Sequence, residues 1–227
     1  MNRTLRTLAL VAIVATTAAC GGSDESSATT GAPSTAPGST ELATTTAPPT
    51  TEALTTTTMA SVPVYPLTGL PVSDGAIAAR PALVVKIDNN KQARPQSGLI
   101  TADIVFEEIV EVQTRFAAVF HSQGADPVGP IRSGRTQDIQ LLGSFNQPLF
   151  LWSGGNANVT RAIEESDFVN LNAQDGSAYR GAGFFRSDQR DAPHDLYANT
   201  AAAWTLAPAG ATAPPQQFQY RPADAAP

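Results

Sequence analysis

Hydrophobic positions along the 227 residues fall into three regimes. Residues 8–14 (LALVAIV) form one short apolar run. Residues 21–61 show no apolar periodicity. From residue 62 onward, apolar clusters alternate with turn signals. Residues 62–71 hold three prolines and a glycine and predict an extended entry segment. Residues 82–88 (ALVVKID) are nearly continuously apolar. They predict a strand buried on both faces, ended by Asn89 and Asn90. Residues 102–112 alternate. Asp103, Val105, Glu107, Ile109 and Glu111 share one face, and Ile104, Phe106, Glu108, Val110 and Val112 the other. Their β-branched and aromatic content favours a strand. Residues 115–121 predict a second strand, and the two residues Gln113 and Thr114 between them predict an antiparallel hairpin.

The remaining pattern is mixed. Residues 133–145 fit a helix with Ile139, Leu141, Leu142 and Phe145 on its apolar side. Residues 148–152 (PLFLW) read as a short buried strand running into Ser153-Gly154-Gly155-Asn156. Asn156 or Asn158 caps a helix ending near residue 165. A short strand is expected at 168–171, a loop at 174–193, and a helix at 196–206 capped by Asp195. The expected fold class is α+β (mixed α/β): a sheet containing an antiparallel hairpin, with two or three helices. The hairpin argues against a purely parallel sheet.

The first 20 residues read as an export signal. Arg3 and Arg6 precede an apolar run about half the ~20 residues of a membrane-spanning helix. Small residues lead to Cys20, as in a bacterial lipobox, although Thr17 stands where Leu is usual. Cys20 is therefore the expected lipid attachment point. The alternative is plain cleavage near Ala19. Residues 21–61, rich in Thr, Ala, Ser, Pro and Gly, are expected to be a disordered tether. Removing the signal leaves 12 basic against 20 acidic residues, a net charge of −8. An acidic chain without a basic run argues against nucleic-acid partners. One cysteine excludes an internal disulfide framework and a Cys-based zinc site. No metal or cofactor is called for.

Eight blocks, taken in order, carry a resemblance. They are PLTG (66–69), RPALVVKIDN (80–89), ARPQSGL (93–99), ADIVFEE (102–108), TRFAAVF (114–120), GPIRSGR (129–135), SGGN (153–156) and APHDLY (192–197). Together they resemble the YerB-like bacterial lipoproteins, a family without an established function. The resemblance covers residues 64–200. It implies an α+β domain, here assigned to residues 62–206, followed by a second, mostly β domain. The Pro/Ala-rich residues 207–227 are then expected to be a linker, with the second domain absent. The resemblance supplies no catalytic residues.

Candidate chemistry centres on Arg132, Ser133 and Arg135, with Asp138 nearby. They follow a Gly-Pro turn and open the expected helix. A helix N-terminus and two guanidiniums suit a phosphate or carboxylate. The alternative is pairing of both arginines with Asp138, Glu107, Glu108 and Glu111. Ser153 and Asn156 flank a Gly-Gly turn that could present N–H groups, without a phosphate-loop spacing; the alternative is a strand-to-helix turn. Glu107 and Glu111 share a face about 13 Å apart, beyond the ~5–9.5 Å of glycosidase carboxylates. Glu108, on the apolar face, is expected to meet Arg115 across the hairpin. His121 and His194 could serve a hydrolase or transferase with Asp88 or Asp195. End-of-element histidines more often only hydrogen-bond or cap. Arg180, Arg186, Arg190 and His194 could close a loop over an acidic ligand. The resulting expectation is a lipid-anchored protein on the outer face of the cytoplasmic membrane. It binds an anionic glycan or phosphate-bearing envelope component through Arg132, Ser133, Arg135, Ser153 and Asn156. An envelope hydrolase or transferase and a protein-interaction module are the alternatives.

Overall fold

The structure, a computed structural model, describes residues 62–221. The signal, Cys20, the tether and the last six residues lie outside the described residues. A short helix α1 (Gly75–Ala79) starts where the Asp74 carboxylate accepts the N–H groups of Ala76 and Ile77. It was not anticipated. Strand β1 (Leu83–Asp88) is buried along its whole length, as its apolar run required. It is the middle of a five-stranded sheet ordered β2-β3-β1-β4-β5. Strands β2 (Ile104–Val110) and β3 (Gln113–Phe120) pair antiparallel, and β3 pairs antiparallel with β1. Strands β4 (Leu149–Trp152) and β5 (Val169–Asn172) continue the sheet in parallel. The mixed sheet bears out the α+β expectation.

Two apolar layers sandwich the sheet. Ala82, Val84, Ala117, Val119, Phe150 and Trp152 face Leu142 and Phe145, and Val159 and Ile163 of a helix described below. Leu142 belongs to α2 (Gln137–Leu142), which a single 3-10 turn extends to Phe145. Val159 and Ile163 belong to α3 (Ala157–Glu164), capped by the Asn156 side chain on the N–H groups of Asn158 and Val159. On the other face, Leu83, Val85, Ile87, Ala118, Phe120, Leu149 and Leu151 meet Ala182, Phe184, Leu196 and Ala203. These come from the C-terminal third: α4 (Gly176–Gly181), the two-stranded antiparallel hairpin β6 (Phe185–Arg186) and β7 (Leu196–Tyr197), and α5 (Thr200–Trp204). The alternation read for β2 holds: Glu108 and Val110 point inward, and Val105, Glu107 and Ile109 face solvent.

Four local expectations are corrected. The first hairpin turns at Glu111 and Val112, so Gln113 and Thr114 belong to β3. Glu111 takes a left-handed conformation (φ 57°), which side-chain type does not announce. Residues 132–136 are not helical. Arg132 donates its N–H to the Lys86 carbonyl, Ser153 to the Arg132 carbonyl and Gly134 to the Gly154 carbonyl, so tertiary pairing keeps this stretch out of a helix until a turn at Arg135 and Thr136 leads into α2. Residues 196–197 form β7, and α5 begins only after Asn199, whose side chain caps it in place of Asp195. The expected loop at 174–193 contains α4, capped by Asp175, and β6.

Candidate functional site

The sheet face beneath α2 is apolar at one end and charged at the other. The change occurs within β1, where Lys86 and Asp88 follow Ala82 and Val84 on the same face. Lys86 is fully buried. Its Nζ lies 2.5 Å from Glu108 Oε1 and 2.6 Å from Asp138 Oδ1. Gln137 Nε2 donates to the other Glu108 oxygen at 2.9 Å, and the Arg135 backbone N–H to Asp138 Oδ2 at 2.6 Å. Burial raises the Asp138 carboxyl to about 6, against the lowering effect of Lys86. Glu108 faces Arg115 in the register, yet its carboxylate goes to Lys86 and Gln137, which corrects the expected Glu108–Arg115 pair. Arg115 instead donates to the Ser133 carbonyl at 2.7 Å. Burial, then the nearby Arg135 and Arg132, pull its guanidinium down to about 10.

Two residues further along β1, the buried Asp88 carboxylate meets a different set. Its Oδ2 lies 2.7 Å from His194 Nδ1 and 3.3 Å from Arg132 Nε. Its Oδ1 accepts the Asn90 N–H. His194 Nε2 lies 3.1 Å from Gln92 Oε1. Arg132 Nη1 donates to the Pro193 carbonyl at 3.2 Å. The Arg132–Asp88 contact is an ion pair without an aligned hydrogen bond. Among the described residues, Arg132 Nε is buried with no hydrogen-bond partner.

The segment bearing Arg132 is fixed along its length. Ser97 pairs with Gly129, Ile131 with Ile87, and Val128 with Ala198. Ile131 also donates its N–H to the Leu196 carbonyl at 2.7 Å. This places Arg132 beyond the carboxyl ends of the parallel strands β1, β4 and β5, where open α/β sheets bind ligands. A cleft of about 250 Å³ opens there. Arg132, Ser133, Ser153, Gln174, Tyr179 and Arg186 supply its polar wall, and Ile131, Ala173, Pro193 and Leu196 its apolar wall. Arg186 reaches it from β6 while pairing with Asp195 at 2.6 Å. Directly after the cleft-lining Ser153 the chain turns at Gly154 (φ 81°). A Cβ there would lie 2.3 Å from the Gln174 side chain.

Arg132, Ser133 and Ser153 thus share one cleft. Arg135 does not line it: its guanidinium pairs with Glu111 at 2.8 Å and donates to the Gly134 carbonyl. Asn156 is occupied in capping α3. His121 is buried edge-on to Tyr65, and neither ring nitrogen has a hydrogen-bond partner among the described residues. Burial lowers its pKa, so it is held neutral. Arg190 donates to the carbonyls of Gln92, Arg94 and Pro95. Sequence reasoning singled out neither Lys86, Tyr179 nor Gln174. A lysine inside a doubly buried strand was the available signal for the first. Among the described residues, no cluster of three or more His, Cys, Asp or Glu side chains could hold a metal ion, and no helix is long and apolar enough to cross a membrane.

These elements make a mixed α/β domain whose five-stranded sheet carries a polar cleft at the ends of its parallel strands. Residues 67–212 match the family described as "Protein of unknown function (DUF3048) N-terminal domain", and the chain belongs to that family. It is 38% identical over 135 residues to "Putative lipoprotein YerB" of Bacillus subtilis (strain 168). That alignment covers 58% of this chain and 39% of the relative. The crystal structure of YerB from Bacillus subtilis is similar to this one, with a TM-score of 0.58 and 31% sequence identity. This match covers 66% of this chain and 53% of the crystallised one, so the chain spans about half the length of these relatives or less.

Proposed function

We propose that this is a cell-envelope protein, lipid-anchored at Cys20 on the extracytoplasmic face of the membrane. Its domain binds an anionic glycan or other phosphate-bearing envelope component. The name of its Bacillus relative supports the lipid anchor. The observation that carries the binding reading is the single cleft flanked by Arg132 and Arg186, with Ser133, Ser153, Tyr179 and Gln174 between them. Two guanidiniums suit a tetrahedral oxyanion, hydroxyl and amide groups suit sugar oxygens, and the apolar wall suits the carbon face of a sugar.

The test is thermal unfolding of the full chain in detergent with glucose 1-phosphate, glycerol 3-phosphate or uncharged glucose. Binding to the native state raises the melting temperature by mass action. The two phosphates are expected to raise it and glucose is not. The more effective phosphate identifies a glycan or a glycerol-based source. Arg132→Gln and Arg186→Gln are each expected to reduce the shift. Equal shifts with glucose, or shifts unchanged in both variants, would reject the reading. For the anchor, Cys20→Ala is expected to release the protein from the membrane fraction.

The Asp88–His194 contact favours His194 over His121 in the alternative of a hydrolase or transferase. Turnover of a phosphate ester that survives His194→Gln unchanged would eliminate that alternative.

A further inference from the structure

Asp88 is the only carboxylate that touches both a cleft-lining arginine and a histidine among the described residues, and it does so through one oxygen. Its side chain is fully buried, so water does not screen either contact. Arg132 faces the cleft, whereas His194 lines a second depression beside Gln92, Arg190 and Asp191. Pro193 borders both and accepts a hydrogen bond from Arg132 Nη1. The carboxylate therefore lies between a ligand-facing cation and an imidazole that can take up a second proton.

We propose that Asp88 is a positioning residue that links the cleft to His194, so that protonating His194 strengthens binding of a doubly charged tetrahedral oxyanion such as a phosphomonoester. This rests on the anion-binding reading of the cleft. With His194 neutral, Arg132 is the one cation in contact with Asp88, and Arg115 stands opposite it across the β1–β3 register. A proton on Nε2 gives His194 a second donor, toward Gln92 Oε1, and adds a positive charge to the group. Asp88 is then shared between two cations, and Arg132 meets an anion with less of its charge compensated. By linkage, the anion must favour the protonated imidazole by the same factor.

The other charges around the Asp88–His194 pair are Arg132, Arg115 facing Asp88 from β3, Arg190 and Asp191 in the His194 loop, and Asp195 beside it, the last held by Arg186. The Asp138 carboxyl, raised to about 6, belongs to the Lys86 cluster, so it needs its own control.

The experiment is calorimetric titration of the full chain with sulfate, whose charge is constant from about pH 8 to about pH 5. Sulfate affinity is expected to rise about fivefold on acidification across the ordinary histidine range. Asp138→Asn is expected to keep that slope. His194→Gln, whose amide can still donate to Asp88, is expected to lose it. A flat wild-type profile, or a slope that survives His194→Gln, overturns the proposal. A second readout needs no ligand and no change at Asp88, which also supports the turn at Asn90. In the free protein, the Arg132 Nε–H resonance is expected to follow the His194 titration and to stand still in His194→Gln. A resonance that ignores His194 overturns the coupling even if sulfate binds. A resonance that follows it while no anion binds upholds the coupling and removes the ligand reading alone.

Discussion

Lys86 and Asp88 project from the same face of one strand, two residues or about 6.6 Å apart, yet they organise opposite kinds of charge cluster. Around Lys86 the groups close on themselves. One ammonium meets two carboxylates, and their remaining oxygens take Gln137 and the Arg135 N–H. Around Asp88 the groups stay open. One carboxylate serves His194 and Arg132, and the arginine keeps a buried Nε without a hydrogen-bond partner and faces a cleft. α2 and the hairpin cover the first cluster, whereas the second lies where β1 ends. The difference teaches that a buried charge belongs to structure when every partner is internal, and is available for binding when one partner faces a cavity.

The comparison breaks most visibly at Lys86. Lys86→Met leaves two carboxylates buried without their cation, and a loss of about 3–5 kcal/mol is expected in urea unfolding at neutral pH. A loss below about 1 kcal/mol would mean that the closed cluster is not what holds this end of the sheet. The next effect is the pH dependence of the same cluster. Asp138 is raised from 3.8 to about 6, so the native state takes up its proton before the unfolded chain does. Its contribution is therefore fully present below about 3.8 and is lost as pH rises through about 6. Stability of wild type relative to Asp138→Asn should fall by about 1–3 kcal/mol over that window. The opposite slope would contradict the burial-driven shift. In the open cluster, Arg132→Gln is expected to cost less stability than Lys86→Met, since Asp88 keeps His194 and the Asn90 N–H, while lowering phosphate affinity about tenfold. A large loss of stability with affinity intact would make the open cluster structural as well. The smallest effect is at the rim. Glu111→Ala should change stability by less than about 1 kcal/mol and leave phosphate affinity unchanged, since it frees Arg135 and not Arg132. A change in affinity would bring Arg135 into the site.

The sheet was largely legible because its strands carry their burial in their composition. The apolar run at residues 82–88 predicted β1, and the alternation at 102–112 predicted the inward face of β2 down to Glu108 and Val110. What failed was decided by distant partners. The stretch after Pro130 leads into apolar positions spaced for a helix, but its backbone groups go to Lys86 and Ser153. Asp195 and Asn199 are both good N-caps, and the pairing of Leu196 and Tyr197 with β6 selects Asn199. At the site, proximity in sequence brought Arg132 and Ser133 together, and a Gly-Gly turn drew attention to Ser153. Tyr179 and Gln174 come from regions read as loop, and no local pattern marks them. Lys86 needed a partner 52 positions away, which no periodicity reveals.

The way Arg132 is held also has a kinetic consequence. Its segment is stitched to Ser97 on one side, to β1 and Ser153 in the middle, and to Leu196 and Ala198 at the far end. These anchors span about a hundred residues, and closing such separations costs chain entropy before any contact repays it. The cleft is therefore a late product of assembly. During synthesis its arginine is made long before its walls, and the site comes into being only after the chain has passed residue 198.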